Sequence, residues 1–526
     1  MKRFVLILFL ACGFISLAEE QKNQTASTDL KLAPLFTENM VLQREIKIPV
    51  WGESAPNEEI SIEFCGQEIK TKADSTGKWK TELLPLPPGG PFTLSVRSGG
   101  KKIVEFKNVL IGDVWICSGQ SNMAMRVESA KDSVQEIAAA NYPNIRLFRL
   151  SAEGAAEPKT ELKNKKWEFC TPETVKSFSA AAYYFGRAIH KELNIPVGLV
   201  QTAVGGSAIH SWMPWSLLEN SPDFVPAIDS FKEAMKSYPE KKDAYDKALA
   251  DWKEKQKQLP KEEARKIPIP RPPLYYGQGG APAALFNAMI NPLVPYAIKG
   301  VIWYQGEADA GRAAIYRKLL PAMISEWRTR WGQGNFPFLI VQLPNWQKPP
   351  EKPSDSAWAE LREAQAMALS LPATGLAVTI ELGEADNIHP SNKQEVGKRL
   401  ALLALNMVYG QKNICSGPRY KSMKTDGNKI RIEFDKIGSG LVAKDGELKQ
   451  FAIAGEDKIF EWAEAKIEGH SVIVSSPTLE KPVAVRYAWA DNPAGCNLYN
   501  KEGLPAAPFR TDTWPLTTEN VRWTWK

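Results

Sequence analysis

"DVWICSGQSNMAM", residues 113–125, opens as a buried strand and closes as the start of a helix. Between the two lies Gly119-Gln120-Ser121-Asn122, a short polar joint. Ligands of α/β folds gather beyond the carboxyl ends of the strands, so a lone serine at such a joint is a candidate nucleophile. The same residues also suit an N-cap, because Ser121 or Asn122 can accept a hydrogen bond from a first-turn N–H. Taken alone, the stretch leaves both readings open.

Outward from this joint, apolar runs such as "VWIC", "VGLVQTAV", "KGVIWYQ", "FLIVQL" and "LAVTI" alternate with helical stretches such as "AAYYFGRAIHKEL". Continuous apolar strands separated by amphipathic helices predict a mostly parallel sheet covered on both faces, here over residues 111–414. Residues 216–275 read as an insertion into it. Tyr245, Leu249, Trp252 and Leu259 trace one apolar stripe through alternating charges, which describes a solvated surface helix with a proline-rich return. Residues 31–110 alternate as strands do (Ile60, Ile62, Phe64; Phe92, Leu94, Val96) and predict a small β-sandwich. The runs "KIRIEFD", "SVIVSS" and "AVRYAWA" predict a second β domain over 415–526. The fold class is therefore α/β, flanked by two sandwich-like β domains.

A chain of 526 residues exceeds one ordinary core, as this division requires. With 44% hydrophobic and 24% charged residues it is neither a disordered chain nor a membrane bundle. A net charge of +6 spread over this length is too dilute to argue for nucleic acid. The start, MKRFVLILFLACGFISLAEE, reads as a secretory signal peptide over residues 1–18, followed by a polar linker over 19–30, and implies export. Cys12 behind Phe9-Leu10-Ala11 is a weak match to a lipoprotein cleavage box, and no other stretch reaches transmembrane length. The five remaining cysteines are odd in number and scattered, unlike a disulfide scaffold or a zinc site. Nothing in the sequence sets an oligomeric state.

Only four histidines are available as a base for a serine. His190 reads as a solvated helix residue and His470 as a surface turn, while His210 follows "AVGGSAI" and can border a site. His389 differs, because Asp386 stands three residues before it. An aspartate at that spacing can fold back onto the imidazole Nδ1–H and leave Nε2 free to take a serine proton. The same string occurs in half-metal sites and capping turns, but no tightly spaced further ligands accompany it, so no metal or cofactor is expected. Two loops after apolar strands complete the set. Gly205-Gly206 lets backbone N–H groups approach a ligand. Gln305-Gly306-Glu307 offers an amide able to donate to an oxyanion. Each loop alone also reads as a turn. Together the four segments form one acyl-transfer constellation.

In this order GQSNM, GGS, WYQGE and D-x-x-H resemble the sialate O-acetylesterase family of SGNH-type hydrolases, over roughly residues 33–515. "PLFTENMVLQR", "YAIKGVIWYQGEADA", "WAELREAQ" and "VRYAWADNPAGCNLYNKEGLPAAPFR" extend the resemblance. It implies an SGNH-type three-layer α/β/α core with Ser121 as nucleophile, His389 as base and Asp386 as its orienting acid. Backbone N–H groups of Ser121 and of Gly205 or Gly206, with the Gln305 amide, would form the oxyanion hole. Gln120, Asn122, His210 and Glu307 are expected to position loops or substrate, and Glu307 in either capacity. Ser121 lacks the G-x-S-x-G setting of an ordinary α/β-hydrolase elbow. His210 and Cys496 depart from the family pattern. The implied partner is an O-acetylated sugar or glycan, with acetylxylan or another polysaccharide as the competing substrate. A non-catalytic carbohydrate-binding protein on the same scaffold is the alternative of another class.

Overall fold

The computed structural model describes residues 30–99, 101–163 and 166–525. The signal-peptide reading of residues 1–18, Cys12 and nearly all of the linker lie outside the described residues. Among those residues no helix is long and apolar enough to cross a membrane.

One strand organises the molecule: β1 runs without interruption from Lys101 to Gly119. Its first half pairs with Gly89–Ser98 and, in parallel, with Val41–Gln43 of the N-terminal β region. Its second half lies in the middle of the large sheet. With β2 (Tyr142–Arg149), β3 (Trp167–Cys170), β4 (Val197–Ala203), β5 (Gly300–Tyr304), β6 (Phe338–Val341) and β7 (Thr374–Ala377), the order is β3-β2-β4-β1-β5-β6-β7. All neighbours are parallel except the edge pair β3–β2. The chain thus fills one side of β1 and then the other, which opens a crevice beyond the carboxyl end of β1.

Alternation along the strands assigns the faces. Trp115 of β1 packs edge-on against Phe185 of α2 (Ala180–Leu193), with ring centroids 4.9 Å apart. Trp303 of β5 stands in register with Ser118, on the opposite face, and meets Trp327 of α3 (Ala313–Trp331). α4 (Ala357–Met367) lies beside α3, and α5 (Lys393–Met407) beside α2. Helices therefore cover both faces, as continuous apolar strands demand. α5 approaches α2 so closely that a Cβ on Gly397 would sit 2.5 Å from Tyr184 Cβ.

The N-terminal β region joins the large sheet through β1 itself rather than through a linker. Asp113, fully buried at the junction, accepts hydrogen bonds from Gln43, Arg44 and the Tyr409 hydroxyl. At the far end, two four-stranded antiparallel sheets follow residue 418, with Phe509 stacked on Tyr420. Arg362 of α4 anchors this region: its guanidinium donates to the carbonyls of Leu343, Pro344, Ala490 and Asp491. In the 216–275 stretch, the helix Tyr238–Gln258 buries no residue, and Trp252 Nε1 donates to Ile267 O. All five described cysteines are free.

Gly119, at the end of β1, has φ +140, and a Cβ there would lie 2.1 Å from the Tyr304 carbonyl oxygen. Both the backbone conformation and the space exclude a side chain. Gly119→Ala should therefore destabilise the protein by about 2 kcal/mol or more, measured by thermal or denaturant unfolding. A variant that unfolds with the wild type would contradict this placement of the turn.

Candidate active site

The turn after β1 is stitched to β4 and β5 by its own backbone. Gln120 N–H donates to Tyr304 O at 3.0 Å, and Val204 N–H donates to Gly119 O at 3.1 Å. The buried Gln120 side chain continues the stitch, its Oε1 accepting from Gly306 and Ala308 N–H. Ser121 then opens the short helix α1 (Ser121–Ala124), in which Gln120 rather than Ser121 is the N-cap and no side chain caps. The Ser121 side chain is half-buried and, among the described residues, its hydroxyl has no hydrogen-bond partner. The capping reading of the serine does not hold. A Cβ added to Gly205 would stand 3.6 Å from Ser121 Cβ, so the loop after β4 faces the hydroxyl-bearing carbon. Among the described residues the N–H groups of Gly205 and Gly206 donate to no protein acceptor.

Asn122 turns the other way, into the protein. Its Nδ2 donates to Glu307 Oε1 at 2.6 Å and to Ile388 O at 2.9 Å, and its Oδ1 accepts from Lys393 Nζ at 2.7 Å. Lys393 Nζ also donates to Pro390 O at 2.7 Å and lies 5.3 Å from the centre of the Tyr304 ring. One amide thus joins the Ser121 turn, the loop after β5 and the loop that carries His389. Burial pushes the Glu307 carboxyl up and the Lys393 ammonium down to about 7, each partly offset by the other's charge. Glu307 Oε1 thus ties the loop after β5 to Asn122, while its Oε2 has no partner among the described residues.

The His389 loop is built by Glu384 and Asn387. Asn387 Oδ1 accepts from His389 N–H, and its Nδ2 donates to Glu384 Oε2 and His389 O. Glu384 Oε1 accepts from the Ser391 N–H and hydroxyl, which holds this carboxyl below its ordinary range. His389 is half-buried, and its pKa is lowered by burial and then by Lys393. Asp386 is exposed. Among the described residues it makes no hydrogen bond or ion pair, so the expected contact with the imidazole is not formed. The reason is local: the loop closes between Glu384 and Asn387 and leaves Asp386 in water.

One further expectation needs correction. Gln305 is fully buried, and its Nε2 donates to Ser207 O and to the Asp309 carboxylate, while its Oε1 accepts from the Tyr316 hydroxyl. Both amide protons are engaged, so Gln305 braces the loop after β4 against that after β5 and does not offer a donor to an oxyanion. His210 is buried in a cage of Phe224, Trp523 and Trp525, with its pKa pushed down to about 3 by burial and Arg312. It packs the loop, one of the two capacities expected of it. Lys393, Asp309, Glu384 and Asn387 went unnoticed in the sequence. The first two are polar residues in helical or turn segments, where a solvated reading is the default. Among the described residues no cluster of three or more metal-ligating side chains occurs.

Asp309 yields a prediction about pH. It is fully buried, accepts from Ile209 N–H and Gln305, and burial pushes its carboxyl up to about 7, from roughly 3.9 in the unfolded chain. Folding therefore takes up a proton between those values. The associated stability is present below the unfolded pKa and is lost as pH rises through the folded one. Asp309→Asn stays neutral throughout. Its melting temperature should gain on the wild type as pH rises from about 4 to about 8. A difference that stays constant over that range would contradict the buried, protonating carboxyl.

The chain matches known proteins over most of its length. Residues 111–262 and 280–406 match the family model described as "carbohydrate esterase, sialic acid-specific acetylesterase". Sialate O-acetylesterase of Mus musculus is 28% identical over 94% of this chain and 97% of its own length. The Homo sapiens protein of that name is 28% identical over 95% and 96%. The crystal structure of a carbohydrate acetylesterase from Xanthomonas citri superposes with a TM-score of 0.78 at 37% identity, over 92% of this chain and all of that one. The chain belongs to the sialic acid-specific acetylesterase family of carbohydrate esterases and is a carboxylic ester hydrolase.

Proposed function

We propose that this protein removes O-acetyl groups from carbohydrate by two-step serine acyl transfer on an SGNH-type core. The observation that carries the reading is the placement of Ser121. Its hydroxyl is unengaged at the crevice beside Gly205, and the next residue, Asn122, is bonded to the carbonyl that precedes His389. Ser121 is the nucleophile and His389 the base. His389 takes the Oγ proton as Oγ attacks the acetyl carbonyl carbon. The oxyanion is received by the N–H of Ser121, the first of a helix and so without an intrahelical acceptor, and by the N–H of Gly205 or Gly206. Collapse of the tetrahedral intermediate expels the sugar oxygen, which leaves with the proton from His389. Water then adds to the acetyl-serine, with His389 again as base, and acetate departs. Asp386 is the carboxylate proposed to orient the imidazolium. It has no bond to give up, and catalytic hydrogen bonds are often completed only in the substrate complex.

The acetylated sugar is proposed to be a sialate, on the strength of the named relatives. A different acetylated glycan, such as xylan, is the second reading, favoured by the higher identity to the Xanthomonas carbohydrate acetylesterase than to the sialate esterases. The signal-peptide character of residues 1–18 supports action outside the cytoplasm. Release of acetate from O-acetylated sialic acids, acetylated xylan and aryl acetates decides between the sugars, and absence of acetate from all three would contradict the reading.

Replacing the nucleophile of such a unit costs roughly a millionfold in kcat. Ser121→Ala should therefore melt near the wild type while hydrolysis of p-nitrophenyl acetate falls to the background rate. A folded variant that kept a tenth of the activity would remove Ser121 from the mechanism.

A further inference from the structure

Lys393 stands where a lysine is least expected. It is the first residue of α5, where a positive charge opposes the helix dipole, and its side chain is completely covered. Burial of an ammonium is costly unless its donors are satisfied, and here they are directed at Asn122 Oδ1 and Pro390 O, with the Tyr304 ring beside them. Helix capping does not require it, because the Asn392 side chain accepts from Glu395 N–H and does that work.

The bonds show what the lysine holds. Lys393 takes the carbonyl after His389, and Asn122, itself held by Lys393, takes the carbonyl before it. The backbone on both sides of His389 is thus fastened to the residue next to Ser121. Several charged residues surround the loop, and of these Lys393 acts on the ring while Glu307 and Glu384 act on Lys393. Lys393 belongs to the following helix, Glu384 and Asp386 to its own loop, and Glu307 to the loop after β5, where Asn122 occupies one carboxylate oxygen. Glu384 is engaged by Ser391 and Asn387, and Asp386 is in water, so the lysine is the charge that bears on the histidine.

We propose that Lys393 is a positioning residue for the esterase reaction, fastening the backbone on both sides of His389 to the neighbour of Ser121 and setting a cation beside the base. The role rests on the reading of His389 as the base. Burial and the neighbouring cation both lower the His389 pKa, so the neutral, proton-accepting form persists to lower pH than for a free histidine. Removing the cation moves that limit upward.

The test compares kcat and KM for p-nitrophenyl acetate across the acidic and neutral range in wild type, Lys393→Met and Lys393→Gln. The glutamine keeps amide donors, while the methionine keeps only the stem. Both should lose about tenfold or more in kcat with little change in KM, since misplacing a base is felt in the transition state. In both, the acid limb of kcat/KM should move to higher pH. A folded variant with normal kcat, or with lower kcat and an unmoved acid limb, would overturn the proposal, because a purely structural lysine would leave the limb in place. A second measurement needs no variant at position 393. NMR titration of wild-type His389, assigned by difference from His389→Gln, should give a pKa below the ordinary value of about 6.5. A value at or above it would overturn the proposal whether or not the lysine variants fold. Because this titration needs no turnover, it tests the lowered imidazole even if Ser121→Ala stays active and the serine mechanism itself fails.

Discussion

The side chain of Asn122 holds three distant pieces of chain at one point, and the arrangement of the Ser121 and His389 loops depends on it. Its amide meets Glu307, the Ile388 carbonyl and Lys393, so residues far apart in sequence are referred to the neighbour of Ser121. The flanking charges make the junction intolerant of change. Removing one member of a buried, hydrogen-bonded charged set strands the others, at a cost of about 3–5 kcal/mol. An apolar core of the same shape would be cheaper to bury, but it would not fix where the carbonyls on either side of His389 point.

The large sheet supplies the frame for that junction. β1 enters from the N-terminal β region already paired, passes the Asp113 anchor and ends at Gly119, between the ends of β4 and β5. Its exit turn is held by the carbonyl of Tyr304 and by the Gln120 side chain, so the serine is fixed by neighbours on both sides. Gln305 and Asp309 do for the two flanking loops what Asn122 does for the Ser121 and His389 loops. Much of the polar capacity behind the crevice goes into building it, although Glu307 Oε2 and Asp309 Oδ1, like the N–H groups of Gly205 and Gly206, have no partner among the described residues.

Patterns that report burial were legible in the sequence. The apolar runs became β1, β4, β5, β6 and β7, and the strand-to-helix joint at Gly119–Ser121 is where the motif placed it. The motif order also identified the family. What escaped was the orientation of polar side chains. Gln305 has the chemistry of an oxyanion donor, yet whether its protons face the crevice or Asp309 is decided by a partner four residues on that spacing does not single out. Asp386 has the right distance in sequence from His389, but Glu384 and Asn387 compete for the closure of that loop and close it. Lys393 was invisible because a lysine in a charged helical segment reads as solvated, and its burial depends on the Asn122 and Tyr304 surfaces brought from elsewhere in the chain. Hydrophobic periodicity carries no information on which of several polar groups will pair.

The most direct measurement is the rate at which a fluorophosphonate labels the protein, with the modified residue mapped by mass spectrometry, in the wild type and in a folded Asn122→Ala variant. Phosphonylation needs an activated serine and no sugar recognition, so it reads the nucleophile, the base and the junction that aligns them. A single adduct on Ser121, formed at least about tenfold more slowly without the Asn122 amide, is the predicted result. Labelling of another residue, or an unchanged rate at Ser121 in the variant, would contradict an esterase site assembled around Asn122.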